Sequence, residues 1–164
     1  MFSKFYIIMK NKILIFVLSL FIASCSEEVK FNNPGFQTLK QGTMWNATNL
    51  RAILASDGSV TIIGSKDFET VTLRTDKITP HTADFGVNGI FYAEYDNRAV
   101  GFTGNYSTGF VGGNGQIIIT DYSEGMVTGN FKFNAVNTDL GLVEPDKINF
   151  RNGTFYKIPV TSAQ

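Results

Sequence analysis

The residues from Met126 to Val136 constrain the fold more than any other stretch of this chain. Val127, Gly129, Phe131, Phe133 and Ala135 fall on one side of an extended backbone, and Thr128, Asn130, Lys132 and Asn134 on the other. A period of two with aromatic rings on one side only predicts a strand half-buried in an antiparallel sheet. Gln116–Tyr122 before it and Lys147–Pro159 after it also read as strands. Ser123–Glu124–Gly125 makes the first turn, and Asn152–Gly153 predicts a bulge or turn within the last strand.

The same grammar extends upstream. Phe36–Leu39 reads as a first strand, followed by Gly42–Ala47 with the only tryptophan, Trp45, as a core anchor. Asp57–Gly58 between Ala52–Leu54 and Ser59–Gly64 is a hairpin signal. Thr70–Thr75 alternates Val71 and Leu73 against Thr72 and Arg74, while Asp76–Asp84, holding Pro80, reads as an irregular polar loop. Asn88–Gly89 predicts a type I′ turn into Ile90–Tyr95, and Asp96–Asn97 a turn into Arg98–Thr103. Beyond it, Gly104–Gly115 reads as one strand and a long hairpin loop. The chain after residue 24 shows no sustained helical stripe. Short strands joined by Gly, Asn and Asp predict an all-β domain over 36–160, a single antiparallel β-sandwich or closed β-barrel of about nine strands. Fifteen Phe and sixteen Gly agree with that class.

The N-terminus carries an address. Lys10 and Lys12 precede the uncharged run Ile13–Ile22, too short to span a bilayer and of the length of a signal-peptide core. It ends in Ile22–Ala23–Ser24–Cys25, which resembles the lipobox of bacterial lipoproteins. The resemblance implies a signal peptide over 1–24 and, at Cys25, a diacylglycerol thioether and an N-acyl chain. A cleavable secretory signal with an incidental cysteine is the alternative. Met9 begins a better charged segment than Met1, so translation from Met9 is the expected start. Residues 25–35 read as an acidic tether. Glu27–Glu28 resembles the surface-export signal of Bacteroidota lipoproteins, which implies an outer-membrane, lipid-anchored location exposed at the cell surface, with a periplasm-facing domain as the alternative.

Charge and composition narrow the chemistry. Residues 1–24 hold Lys4, Lys10 and Lys12 and no acidic residue, so the chain from Cys25 keeps 11 of 14 basic side chains against all 14 acidic ones. That balance is no footprint for nucleic acid, which needs a clustered basic surface. Cys25 is the only cysteine, so neither an intrachain disulfide nor a thiolate metal site can form. His81 is the only histidine, shortly before Asp84 in the polar loop, and no Gly-x-Ser-x-Gly elbow accompanies it. Asp121 with Glu124, or Asp139 with Glu144–Asp146, offer oxygen ligands without the calcium-loop pattern. Gly109–Gly115 is similar in composition to a phosphate-binding loop, but a strand follows it where such loops need a helix. Glu94 and Asp96 bracket Tyr95 without a defined partner for glycoside hydrolysis. The expectation is therefore no catalytic residue, no metal and no cofactor beyond the lipid.

Gly42–x–x–Trp45–x–Ala47, Ile62–x–Gly64, Gly115–Thr120, Val127–Phe133 and Asn152–Phe155 together resemble a family of uncharacterised Bacteroidota lipoproteins whose domain has no known function. The resemblance covers roughly Phe36 to Pro159. It implies an all-β fold and an envelope location, and it transfers no catalytic residue.

One functional pattern remains. Tyr92, Tyr95, Tyr106, Phe110 and Tyr122 are expected near one end of the sheet beside Asn97, Asn105 and Asn114. Exposed rings with amide donors suit a glycan, peptide or protein partner, with Tyr95, Tyr106, Phe110 and Tyr122 as the binding residues. The competing reading has these rings completing the core. The expected function is a non-catalytic, lipid-anchored binding module; a lipocalin-like carrier of a small apolar ligand is the alternative.

Overall fold

In the computed structural model, which describes residues 35–87, 89–139 and 146–163, residues 126–137 form the strand that their alternation predicts. The described strands run, in chain order, β1 (Gly35–Lys40), β2 (Thr43–Asn46), β3 (Asn49–Leu54), β4 (Val60–Lys66), β5 (Glu69–Thr75), β6 (His81–Phe85), β7 (Tyr92–Ala99), β8 (Phe102–Ser107), β9 (Asn114–Ser123), β10 (Met126–Asn137) and β11 (Lys147–Ser162). The unit Met1–Lys30, which carries the expected signal peptide and Cys25, lies outside the described residues, as do Asn88 and Glu144.

All eleven strands belong to one sheet, ordered β2-β1-β11-β3-β4-β5-β7-β8-β10-β9-β6, with a further pairing between β10 and β11. The long β10–β11 hairpin is the spine. Along β11, β1 occupies one edge at residues 150–156, and β3 takes over the same edge at Val160–Ser162. Along β10, β9 pairs with Met126–Asn134 and β8 with Val136 and Asn137. The run β3-β4-β5-β7-β8 is therefore tied at one end to β11 and at the other to β10. It lies over the spine in a sandwich-like arrangement, and the Tyr95 ring of β7 meets the Phe150 ring of β11 at 5.3 Å.

The space between is filled by rings. Phe131 lies 5.0 Å from Phe36 and 6.1 Å from Phe133, and Phe133 stacks on Phe150 at 4.4 Å. Trp45 and Phe155 complete the group, and Val60, Ile62, Val71, Leu73, Ile117 and Ile119 close it with aliphatic side chains. The alternation in β10 holds residue by residue, with Val127, Gly129, Phe131, Phe133 and Ala135 buried.

Two bulges in β11 bend the spine. Between Phe131↔Gly153 and Phe133↔Phe150, β10 advances two residues while β11 advances three, with Asn152 at φ 50°. The same happens between Val127↔Ile158 and Gly129↔Phe155, with Lys157 at φ 49°. The expected bulge at Asn152–Gly153 is thus present. At both bulges a glycine pairs across with a phenylalanine whose ring fills the space that the missing side chain leaves.

Several expectations are corrected. The sheet has eleven strands, not nine. The polar segment before Gly86 contains β6, which pairs along β9 and buries Ala83 and Phe85. Asp96–Asn97 is not a turn. It stays extended because Asp96 pairs with Thr70 and Asn105, and Asn97 with Glu69 and Gly104; pairing on both edges overrides turn propensity. One ladder, β11 with β3, is parallel. The intervening chain supplies the long connection a parallel pair requires.

Candidate functional site

Alternation places two polar constellations on this frame, one at the end of the core and one on the outer face. The first gathers around Glu69 at the start of β5. Its carboxylate accepts hydrogen bonds from the Lys40 ammonium and the Tyr95 hydroxyl at one oxygen. At the other it accepts from Trp45 Nε1 at 2.6 Å. Burial pushes the Glu69 pKa up, but the hydrogen bonds from Lys40, Tyr95 and Trp45 outweigh it and hold the carboxyl below the usual range. Lys40 Nζ also lies 3.1 Å from the Tyr95 hydroxyl, so four strands are tied at one point. This is a polar lock. Lys40, Trp45 and Tyr95 each donate to Glu69 within the fold.

The second constellation is a groove of about 750 Å³ on the outer face of β5, β7 and β8. Val71, Leu73, Ala93, Tyr95 and Tyr106 point inward and are buried, so their alternates face out. Thr72 pairs with Glu94, which pairs with Ser107; one step along the strands, Thr70 pairs with Asp96, which pairs with Asn105. These six side chains make a polar floor. Asp96 accepts from Arg98 Nε at 2.6 Å. No donor among the described residues reaches the Glu94 carboxylate. Although Glu94 keeps contact with solvent, burial in the groove and then the neighbouring Asp96 charge raise its pKa. The two ends of the floor carry exposed rings. Phe68, in the β4–β5 turn, is 64% exposed and Phe110, past the end of β8, is 54% exposed. The register sets them at opposite ends, since Phe68 O accepts from Arg98 N beyond Asn97 while β8 leaves the sheet where Ser107 meets Glu94.

The four residues expected to bind fall into different places. Tyr95 and Tyr106 are each 3% exposed, and their rings sit in the core 5.8 Å apart, beneath the groove. Phe110 stands at the groove's rim. Tyr122, 38% exposed on β9, lies on another part of the sheet and does not line the groove. Phe68, Thr70, Thr72 and Glu69 were not singled out by sequence reasoning. Phe68 had one readable signal, a large apolar residue inside the turn Asp67–Phe68, with Asp67 at φ 52°.

His81 is engaged at both ring nitrogens. Nδ1 lies 2.7 Å from Thr79 O, an atom that only accepts, and Nε2 lies 2.6 Å from the Thr75 hydroxyl and 3.5 Å from Asp76 Oδ1. Thr75 is fully buried, which removes its hydroxyl from any substrate. Asp121 accepts from Ser123, and Asp139 from Asn105. Among the described residues, no group of three or more His, Cys, Asp or Glu is placed to hold a metal ion.

Residues 32–159 match the family model described as a domain of unknown function, DUF6252. The chain belongs to the DUF6252 family. No curated protein and no solved structure matches it. The match spans β1 to β10 and most of β11 of the DUF6252 domain, and so includes both the polar lock and the outer groove.

Proposed function

We propose that this DUF6252 protein is a lipid-anchored β domain of the bacterial cell envelope that binds a partner without transforming it, using the outer groove of β5, β7 and β8. The observation that carries the reading is where space is left. The interior is occupied by stacked and tilted rings from Phe36, Phe131, Phe133, Phe150 and Phe155, whereas the groove lies outside, floored by hydrogen-bonding side chains and ended by two exposed phenylalanines. Solvent-exposed rings on an otherwise polar concavity mark interaction surfaces. The filled interior supports this reading over a carrier of an apolar ligand. The burial of the one hydroxyl that His81 contacts, that of Thr75, supports a non-catalytic role.

The envelope location rests on Ile22–Ala23–Ser24–Cys25 and on the acidic Glu27–Glu28 after it, as in Bacteroidota lipoproteins of the outer membrane. Mass spectrometry of the protein from cells is expected to find Cys25 N-terminal and carrying the diacylglycerol and N-acyl groups; an unmodified Cys25 refutes the anchor. The binding role is tested by screening the purified protein against glycan and peptide arrays, with the Phe68→Ala/Phe110→Ala variant alongside. Binding lost at an unchanged melting temperature supports the groove. Binding retained by the variant moves the partner elsewhere on the domain.

A further inference from the structure

We infer that the groove of β5, β7 and β8 accepts a saccharide bearing a free amino group, with Glu94 receiving the ammonium and Phe68 and Phe110 supporting sugar faces at the two ends. The inference rests on the binding role proposed above and names the class of ligand.

Three features of the groove converge on this class. The floor is rich in neutral hydrogen-bonding groups (Thr70, Thr72, Asn105 and Ser107), which match a ligand dense in hydroxyls. The Thr70 and Thr72 hydroxyls make no hydrogen bond within the described residues and remain open to a ligand. The exposed phenylalanine rings offer apolar faces to the C–H faces of sugar rings, and such faces also attract a cation. The charges are unevenly compensated. Arg98 is bonded to Asp96, Arg51 stands on β3 at the side of the groove and Asp67 in the turn beside Phe68, while the Glu94 carboxylate has no donor. A carboxylate crowded by Asp96 gains from a cation that joins the site. A neutral sugar would satisfy the hydroxyls and leave Glu94 unpaired, and an acidic one would meet three carboxylates against two guanidiniums, one of them already bonded to Asp96.

The experiment titrates the purified full-length protein by calorimetry with a fully deacetylated β-1,4-linked glucosamine tetramer and with its N-acetylated counterpart. It is run at ~pH 6, where an ordinary amine is protonated. The amino oligomer is expected to bind at least ~10-fold more tightly. Glu94→Gln should remove that preference. Phe68→Ala/Phe110→Ala should weaken both. Equal affinity for the two oligomers, or a preference that survives Glu94→Gln, overturns the ammonium assignment while keeping the groove as a binding face. Binding indifferent to the phenylalanine variant overturns the groove as the site and the saccharide assignment with it, and moves the partner elsewhere on the domain. A lack of binding to either oligomer, or selective binding of a lysine-bearing peptide, overturns the saccharide class alone.

Discussion

Gly153→Ala is a one-carbon change with a large expected effect. A Cβ at Gly153 would lie 2.5 Å from Cε1 and Cζ of Phe131, closer than side-chain carbons approach one another. The ring cannot simply step aside, because Phe36 holds it at 5.0 Å, Phe133 at 6.1 Å and Phe155 at 6.5 Å. Overpacking of this kind costs ~1–3 kcal/mol. Phe131→Ala alone removes a ring that is 3% exposed and should cost ~3–5 kcal/mol. The double variant decides the mechanism. With the ring gone, the new methyl fills part of the hole, so the double variant should be more stable than additivity predicts by ~1–2 kcal/mol. Urea unfolding followed by circular dichroism reads all three, since the slope checks that unfolding remains two-state. Strict additivity would refute the cross-strand packing of Phe131 on Gly153.

Other substitutions probe the polar side chains. Glu69→Gln should destabilise the fold by ~1–2 kcal/mol at neutral pH, the lower range because the site is partly solvated. The Glu69 pKa is depressed on folding, so its contribution is present above the unfolded pKa and lost as pH falls through the folded one. The gap between wild type and variant should therefore close in acid when melting temperatures are compared. Glu94→Gln should do the opposite and raise the melting temperature at neutral pH. The raised Glu94 pKa means stability declines as pH rises from the unfolded value of ~4.3 through the folded one, so the gain should vanish below ~pH 4. Tyr106→Ala should lower stability by ~3–5 kcal/mol as a core truncation, whereas Phe110→Ala and Tyr122→Ala should stay within ~0.5 kcal/mol, checked by the same unfolding curves.

Much of the sheet was legible because its signals are local. The alternation of β10 needs only neighbouring residues, and Asp57–Gly58 and Glu124–Gly125 announce turns that bear φ 87° at Gly58 and φ 52° and 72° at Glu124 and Gly125. What failed to read is set by distant partners. β6 offers only Ala83 and Phe85 as apolar residues, and it is a strand because β9 pairs with it. Asp96–Asn97 has turn chemistry, yet β5 and β8 hold it extended. The lock at Glu69 joins residues 24, 26 and 29 positions away, and no window of sequence brings Trp45, Tyr95 and Lys40 together. Facing is legible from parity. Tyr92 and Tyr95 differ by an odd number of positions, so one strand cannot show both on the same face. The groove's carboxylates follow from the same parity, but its end rings sit in turns, where period two no longer applies.

The placement of the binding face is tested most directly by nuclear magnetic resonance of the isotope-labelled protein titrated with the glucosamine tetramer. The backbone amides of Thr70, Thr72, Glu94, Asp96, Asn105 and Ser107 should shift together and saturably, while those of β1 and β11 hold still. Shifts concentrated around Tyr122 on β9, or among the buried residues of the core, would contradict the placement.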